Sequence, residues 1–157
     1  MKKRKLLRII ILVAISGLII GVAVTLYMFN MPHRNVIETQ ADYSLSASEI
    51  VSEYLDNADK ANEKYLAADG DSKVLEITGN VSDVSEDYNG NKVIMLKNKD
   101  DRAGVRVTFT AETEPADGEI SPGQEIRIKG VIRSGASYDE DLRMYENVII
   151  EKSVIIK

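Results

Sequence analysis

The sequence predicts a mainly β protein: a small closed barrel of five strands preceded by one amphipathic helix, with an apolar transmembrane helix at the N-terminus. Residues 9–29 carry no charge, residues 47–66 place apolar side chains at helical spacing, and the chain beyond residue 73 contains five short runs that alternate apolar and polar residues. The predicted organisation is a basic cytoplasmic tail at 1–8, the transmembrane helix at 9–29, a linker at 30–45, and the helix with its barrel at 46–157.

The amino-acid composition of the chain excludes several kinds of functional site. The 157 residues include no cysteine, which excludes disulfides, thiolate metal sites and a cysteine nucleophile. The net charge of −5 is uneven, because five of the 20 basic residues lie in the first eight positions and the rest of the chain holds 15 basic against 25 acidic residues, or −10. An acidic soluble part argues against a surface for nucleic acid or anionic lipid.

The segment from Ile9 to Phe29 is 21 uncharged residues long, enough to cross the roughly 30 Å hydrocarbon core of a bilayer as a helix. A cleaved signal peptide is the alternative, but its apolar region is usually about 7–15 residues long and ends at small residues, whereas this segment ends in TLYMF. Five positive charges precede the span and only Arg34 soon follows it. The pattern predicts a single-pass protein of the cell membrane with its N-terminus in the cytoplasm and its C-terminal domain outside.

Two features near the span have competing interpretations. Gly17 and Gly21 form a G-x-x-x-G, which would let two such helices associate as a weak homodimer, although glycine is also frequent in membrane helices generally. His33 follows Pro32 in the linker and has no neighbouring residue suited to metal or base chemistry. It is more simply a polar residue at the membrane interface.

The predicted amphipathic helix at 47–66 begins with a capping box, Ser46 followed by Glu49. Its apolar stripe includes Tyr54 and Tyr65, which would either pack on the domain's own core or form a groove-binding motif. The charged opposite face is most simply solvated.

Five runs after residue 73 are predicted as strands. The residues predicted to face the core are, strand by strand, Leu75, Ile77 and Val81; Val93 and Met95; Val105, Val107 and Phe109; Ile126, Ile128 and Ile132; and Val148 and Ile150. Five short strands bury one face by curling into a barrel, and curling requires sharp bends. Gly79 and Gly130, near the middle of the first and fourth strands, are predicted to permit those bends.

The connection between the first two strands contains Asn89-Gly90, a strong hairpin signal because both residues tolerate positive φ. A calcium loop is the alternative, since Asp87, Asn89 and Asn91 alternate. Its glycine falls at the fourth place instead of the sixth, and its twelfth place is Asn98 instead of glutamate, so no metal site is predicted.

A helix followed by five strands, two of them with central glycines, resembles the oligonucleotide/oligosaccharide-binding (OB) fold. The segments DKANEKYL, VLEITGNVSDV, PGQEIRIKGV and NVIIEKSVIIK, with Pro32-His33-Arg34 after the span, resemble the bacterial anticodon-binding-like (tRNA_anti-like) family of OB-fold proteins, which are membrane-anchored or lipoproteins. The resemblance covers nearly the whole chain, and its motifs specify the fold more than the function. Two departures are AADGDS, which looks inserted before the first strand, and Ser153, where relatives often carry cysteine.

Barrels of this kind bind single-stranded nucleic acid by stacking its bases on aromatic residues over a positively charged groove. The positions predicted to face outward on the second and third strands include no aromatic residue; they are Lys92, Ile94, Leu96, Arg106, Thr108 and Thr110. The candidate ligand site is a basic stripe of Arg127, Lys129 and Arg133 on the fourth strand, which Arg106 and Arg102 extend, for an oligosaccharide or a polyanion. The competing interpretation is that these cations pair with the surplus carboxylates around them.

An enzyme is the third class considered. The sequence has no Gly-x-Ser-x-Gly nucleophile motif, phosphate loop or histidine cluster, so no catalytic residue and no cofactor is predicted. Carboxylate pairs such as Asp69 with Asp71, or Asp139 with Asp141, are candidates for acid–base chemistry or a calcium ion, but such residues in turns are usually solvated. The sequence thus predicts a non-catalytic module that binds or scaffolds an envelope protein or component, with the direct ligand binder as the alternative.

Overall fold

The structure is a computed structural model that describes residues 2–29, 36, 38–67, 71–116 and 118–156, with the side chains of the first helix described from 12 to 27. The chain divides into two compact units, residues 1–34 and 35–157. The first contains helix α1, Lys2–Phe29. No helix within the described residues is both long enough and apolar enough to cross a membrane. Pro32, His33 and Arg34 lie outside the described residues.

The second unit is a closed barrel with added elements. These are, in chain order, β1 (Tyr43–Ser46), α2 (Ala47–Asp56), α3 (Ala58–Tyr65), β2 (Val74–Glu86), β3 (Lys92–Leu96), β4 (Val105–Phe109), β5 (Glu125–Ser134), β6 (Ser137–Asp139), β7 (Met144–Glu146) and β8 (Val148–Ile156). The barrel strands run in the order β2-β3-β4-β8-β5, and β5 pairs again with β2, so the five strands close on themselves. Within the barrel, β4 and β8 are parallel and the other pairs are antiparallel. The predicted mainly β class and the five-stranded barrel after a helical segment are confirmed.

Strand β2 contributes to two sides of the barrel, which explains its length of 13 residues. Its first half pairs with β5, and from Val81 onward it pairs with β3. The register shifts between Val81 and Asp83, where a bulge bends the strand. Gly79 lies just before this change of partner, and a Cβ there would come within 2.9 Å of Ala47 Cβ. The missing side chain therefore also makes room for the start of α2.

Gly130 lies at a second irregularity, where the register between β5 and β8 shifts between Lys129 and Val131. A Cβ on Gly130 would overlap Ile150 Cγ2 and would lie 2.6 Å from Ser153 Oγ. Close approach of β8 therefore requires glycine at this position.

The helix predicted at 47–66 is two helices, because Asn57 ends α2 and begins α3. The Asn57 side chain accepts a hydrogen bond from the Lys60 N–H at 3.0 Å, and the Asn57 N–H donates to the Glu53 carbonyl. The predicted capping box of Ser46 and Glu49 is present at the start of α2. An asparagine side chain competes for backbone hydrogen bonds and favours a cap over a helix interior, which explains the break.

The core fills the barrel and continues under the two helices. Apolar residues of all five barrel strands meet Ile50, Val51 and Tyr54 of α2 and Tyr65 of α3, and these four side chains are buried. The ring centroids of Tyr54 and Tyr65 lie 6.1 Å apart. Both tyrosines thus pack on the domain's own core and are not part of a groove-binding motif.

Strand β3 presents the opposite face from the one predicted. Ile94 and Leu96, predicted to face outward, are fully buried in the core, and Met95, predicted to face the core, is partly exposed. Lys92 is also buried, and its Nζ donates to the Pro115 carbonyl at 2.8 Å. The strand reads KVIML, so its run of apolar residues does not select a face, and the bulge in β2 fixes the register instead.

Part of the predicted linker packs on the barrel. Strand β1 pairs in parallel with the start of β2. Just before it, the Asp42 N–H donates to the Val74 carbonyl and the Val74 N–H donates back to the Asp42 carboxylate, each at 2.8 Å. Lys129 Nζ on β5 donates to the Thr39 carbonyl at 3.0 Å. Residues 38–46, called the strap below, therefore belong to the folded unit.

A second hairpin, which the sequence did not predict, connects β5 to β8. Residues 137–146, called the arm below, contain β6 and β7 as an antiparallel pair with Tyr138 opposite Tyr145. Arg143 in its turn has a φ of 53°. Each strand of the arm has three residues, too few to give an alternation signal in the sequence.

Candidate binding surface

The predicted basic stripe follows the outer face of β5. Arg127, Lys129 and Arg133 alternate there with the buried residues Ile128 and Ile132. This alternation follows from the two-residue period of a strand whose other face is in the core. The three cations therefore share one face, and their neighbours on the adjacent strands determine how much charge that face presents.

Each of these three cations meets an acceptor of its own chain. Arg127 Nε lies 3.5 Å from Glu76 Oε1 on β2, and Arg133 Nε lies 3.8 Å from Glu151 Oε2 on β8. Lys129 holds the strap through the Thr39 carbonyl. Because the carboxylates offset the nearby positive charge, the stripe attracts a polyanion less strongly than its sequence implies.

Arg106 lies apart from the other three. It is exposed on β4, between Met95 of β3 and Ile149 of β8, so β8 separates it from β5. None of the ion pairs within the described residues includes Arg106. The structure thus does not bring the four predicted ligand-binding residues together in one groove.

The connection between β2 and β3 is a hydrogen-bonded loop from Asp87 to Asn91. The Asp87 carboxylate accepts hydrogen bonds from the Asn89 N–H, the Asn91 N–H and the Asn91 side chain, at 2.8 to 2.9 Å. The Asn91 side chain contributes most to holding the pKa of Asp87 below its ordinary value, and the charge of Arg106 contributes least. Of the predicted Asn89-Gly90 pair, only Gly90 takes a positive φ, 80°. Two of the three side chains that the calcium alternative required, those of Asp87 and Asn91, are hydrogen-bonded to each other.

Aromatic residues suited to stacking lie on the arm. The rings of Tyr138 and Tyr145 are 4.9 Å apart, and the guanidinium of Arg102 lies 6.0 Å from the Tyr145 ring centroid. Tyr145 packs against the core, whereas Tyr138 is 49% exposed. The Asn147 Oδ1 at the end of the arm accepts a hydrogen bond from the Gly104 N–H at 2.7 Å, which ties the arm to the β3–β4 loop that carries Arg102. We call Arg102, Tyr145 and Tyr138 the ladder.

The sequence did contain a signal for the ladder. The stretch SYDEDLRMYE has a tyrosine near each end and a charged centre, which is a hairpin with two cross-strand aromatic residues once the turn is placed. This stretch lies between the fourth and fifth predicted strands, outside the strand faces that were predicted to bind a ligand.

A separate polar cluster joins α2 to α3. Lys64 Nζ lies 2.9 Å from Glu53 Oε2, which also accepts the Tyr65 hydroxyl at 2.8 Å. Lys64 Nζ lies 5.2 Å and 4.7 Å from the ring centroids of Tyr43 and Tyr65. Tyr54 lies beside this cluster, and burial is the main reason that its pKa is raised to about 12. These contacts hold α3 against α2 and so have a structural role.

Among the carboxylates proposed for catalysis or metal binding, Asp139 is the last residue of β6 and Asp141 lies in the turn of the arm. Asp139 Oδ1 accepts the Leu142 N–H at 2.8 Å within the arm. Asp69 lies outside the described residues. In the part of the chain that the structure describes, no three histidine, aspartate or glutamate side chains are grouped to hold a metal ion.

The comparisons with known proteins agree with this architecture. The family model described as tRNA_anti-like matches residues 1–141. No curated protein matches the chain. A crystal structure from Klebsiella pneumoniae, described as a "putative nucleic acid-binding lipoprotein", is similar with a TM-score of 0.51 and 14% sequence identity, over 81% of this chain and 100% of that one. At this identity the similarity shows a shared fold.

Proposed function

The chain belongs to the tRNA_anti-like family, and we therefore propose that it is a non-catalytic binding module. In this proposal residues 9–29 anchor the module in the cell membrane, and its barrel binds an envelope protein or component outside the cytoplasm. Membership of the family and the likeness to a solved lipoprotein structure support a binding module associated with the envelope.

The chain's own residues support the membrane anchor. The 21 residues from Ile9 to Phe29 contain no charge and five positive charges precede them, the distribution found in spans with a cytoplasmic N-terminus. An acidic domain outside the cytoplasm would meet envelope components and not the nucleic acids of the cell.

The cations of the stripe already contact acceptors of the same chain, which favours a protein or envelope partner over a polyanion. The three cations of β5 each have an acceptor of the same chain within 3.8 Å. Glu76 and Glu151 offset part of the positive charge of the stripe, which lowers its attraction for a polyanion. This is the observation that carries the proposal.

A direct ligand binder is the second candidate, and the ladder is what favours it. The planar groups of Arg102, Tyr145 and Tyr138 would stack on a sugar or base, and the exposed Arg106 on β4 would supply a positive charge for an anionic group. This candidate predicts binding that depends on Arg106 and weakens steeply with added salt.

Labelling of single cysteines tests the anchor and its orientation. The chain has no cysteine, so Tyr88→Cys, at a fully exposed position, and Lys5→Cys each give one thiol. A maleimide that cannot cross membranes should label Tyr88→Cys in intact cells and Lys5→Cys only after permeabilisation. The reverse pattern, or recovery of the full-length chain from the soluble fraction, would contradict the proposal.

Crosslinking of the full-length protein in its native membrane, followed by mass spectrometry, tests the partner. A reproducible envelope protein joined through residues 35–157 supports the module. If an oligonucleotide or oligosaccharide binds instead, and Arg106→Glu removes that binding, the second candidate replaces the first.

A further inference from the structure

The arm concentrates the exposed apolar surface of the second unit. Within the described part of residues 35–157, five large apolar or aromatic side chains are exposed, and three of them lie on the arm: Tyr138, Leu142 and Met144. Leu142 and Met144 are 68% and 53% exposed. In the register of the hairpin Tyr138 shares a face with Tyr145 and Met144 lies on the other face, so the candidate interaction surface is formed by Leu142 and Met144.

Several contacts order the backbone of the arm. Tyr145 packs on the core and against Tyr138, and the Leu142 N–H is bound by the Asp139 carboxylate. A hydrogen bond from Ser137 to Glu146 closes the base of the hairpin. An ordered surface loses less entropy on binding than a loose loop, so the arm is suited to recognition.

The arm is also acidic. Asp139, Glu140, Asp141 and Glu146 surround the apolar side chains, with Arg143 the one cation of residues 137–146. None of the ion pairs within the described residues includes Asp139, Glu140 or Asp141. The cations of β5 have ion-pair or hydrogen-bond partners, whereas Glu140 and Asp141 have no ion pair within the described residues. The arm would therefore repel nucleic acid and anionic lipid and attract a basic surface.

We infer that the arm is a docking element for a protein partner whose surface offers an apolar pocket bordered by lysine and arginine. Leu142 and Met144 enter the pocket, and Glu140 and Asp141 meet its basic border. The inference rests on the proposed function and specifies the chemistry of the partner.

Site-specific photocrosslinking of the full-length chain in its native membrane tests this. The probe is a photoreactive residue in place of Leu142, and the matched control has it in place of the exposed Glu112, in the connector at the opposite end of β5. A third position, Thr108 on β4, samples the face of the barrel. We expect one protein to be joined from position 142 and not from 112.

The captured protein is then purified and its affinity measured against arm variants. Leu142→Ser and Met144→Ser should each weaken binding about tenfold, as anchors of an interface do. Glu140→Gln with Asp141→Asn should weaken it about threefold and reduce its salt dependence. Unchanged thermal unfolding midpoints would show that the variants fold.

The outcomes separate the inference from the proposed function. If the partner is joined from position 108 and binds the arm variants with unaltered affinity, the arm is not the docking element although the binding module stands. If nucleic acid or lipid is the species joined from position 142, the inference is wrong. If no position captures a protein while the chain is folded in the membrane, both fail.

Discussion

The ring of Tyr54 lies directly over Gly135: a Cβ built on this glycine would overlap the ring edge and would lie 2.5 Å from Cζ. Gly135 follows β5 and precedes the arm, and Tyr54 is buried in α2 against Tyr65. The contact therefore joins the helices to the segment from which the arm begins.

Gly135→Ala should destabilise the unit by about 1–3 kcal/mol, because the buried Tyr54 ring has no free space into which to move. Chemical denaturation of the wild-type chain and the variant would measure the difference. In a Tyr54→Leu background the same alanine should cost much less, since the ring that it meets is gone. An equal cost in both backgrounds would contradict the contact.

Lys64→Met should lower stability by about 0.5–1 kcal/mol near neutral pH, a typical value for a partly exposed pair. Burial raises the pKa of Glu53, but the hydrogen bonds from Lys64 and Tyr65 and the charge of Lys64 outweigh it and hold that pKa below its ordinary 4.5. A carboxyl group whose pKa is lowered by folding stabilises the folded state at a pH above its ordinary pKa. This stabilisation is lost as the pH falls through the pKa of the group in the folded state. The pKa of Lys64 is raised, mainly by its hydrogen bonds with Tyr65 and Glu53. The charged lysine therefore makes its full contribution to stability at any pH below its ordinary pKa of 10.5.

The difference between wild type and Lys64→Met should therefore be constant from about pH 6 to 9 and shrink below about pH 4. Denaturation midpoints across this range are the measurement. Lys60→Met, on the same helix, is the control and should show no such pH dependence. A difference that persists at pH 3 would mean that packing of the lysine stem on the tyrosines, and not the ion pair, stabilises the helices.

Ser153→Ala should raise stability by about 1 kcal/mol. The Ser153 hydroxyl is fully buried, and within the described residues it has no hydrogen-bond partner. An unsatisfied buried polar atom costs about 1–3 kcal/mol, part of which the small void left by its removal would offset. A loss of stability on this substitution would indicate an ordered water or another partner at the hydroxyl.

Charge reversal should separate Arg106 from the stripe on β5. Any weak retention on an immobilised polyanion should fall more with Arg106→Glu than with Arg127→Glu, because Glu76 already offsets the charge of Arg127. Arg127→Glu together with Glu76→Arg should restore the wild-type retention. Equal losses for Arg106→Glu and Arg127→Glu would show that the stripe acts as one site.

Much of the barrel could be predicted because its strands alternate clearly. In β5, EIRIKGVIR places every second residue in the core, and the structure confirms this face and nearly the same bounds. In β3 the same reasoning failed, since KVIML offers apolar residues to both faces. The register there depends on a bulge in β2, a feature set by packing.

The candidate surface was harder to predict because its properties depend on contacts distant in sequence. The outward direction of Arg127 and Arg133 follows from alternation, but their partners Glu76 and Glu151 come from other strands. The ladder likewise combines Arg102 of one loop with Tyr145 of another. Neither of these long-range relations has a local signal, so the sequence overestimated the charge of β5 and did not place Arg102 beside Tyr145.

The strap determines where a detached form of the barrel has to begin. Asp42 and β1 cover one edge of β2, and a chain that started at Ala47 would leave that edge open to pairing with other molecules. Val36, buried ahead of the strap, would be lost as well. A folded, non-aggregating fragment of the second unit therefore has to begin on the N-terminal side of Val36.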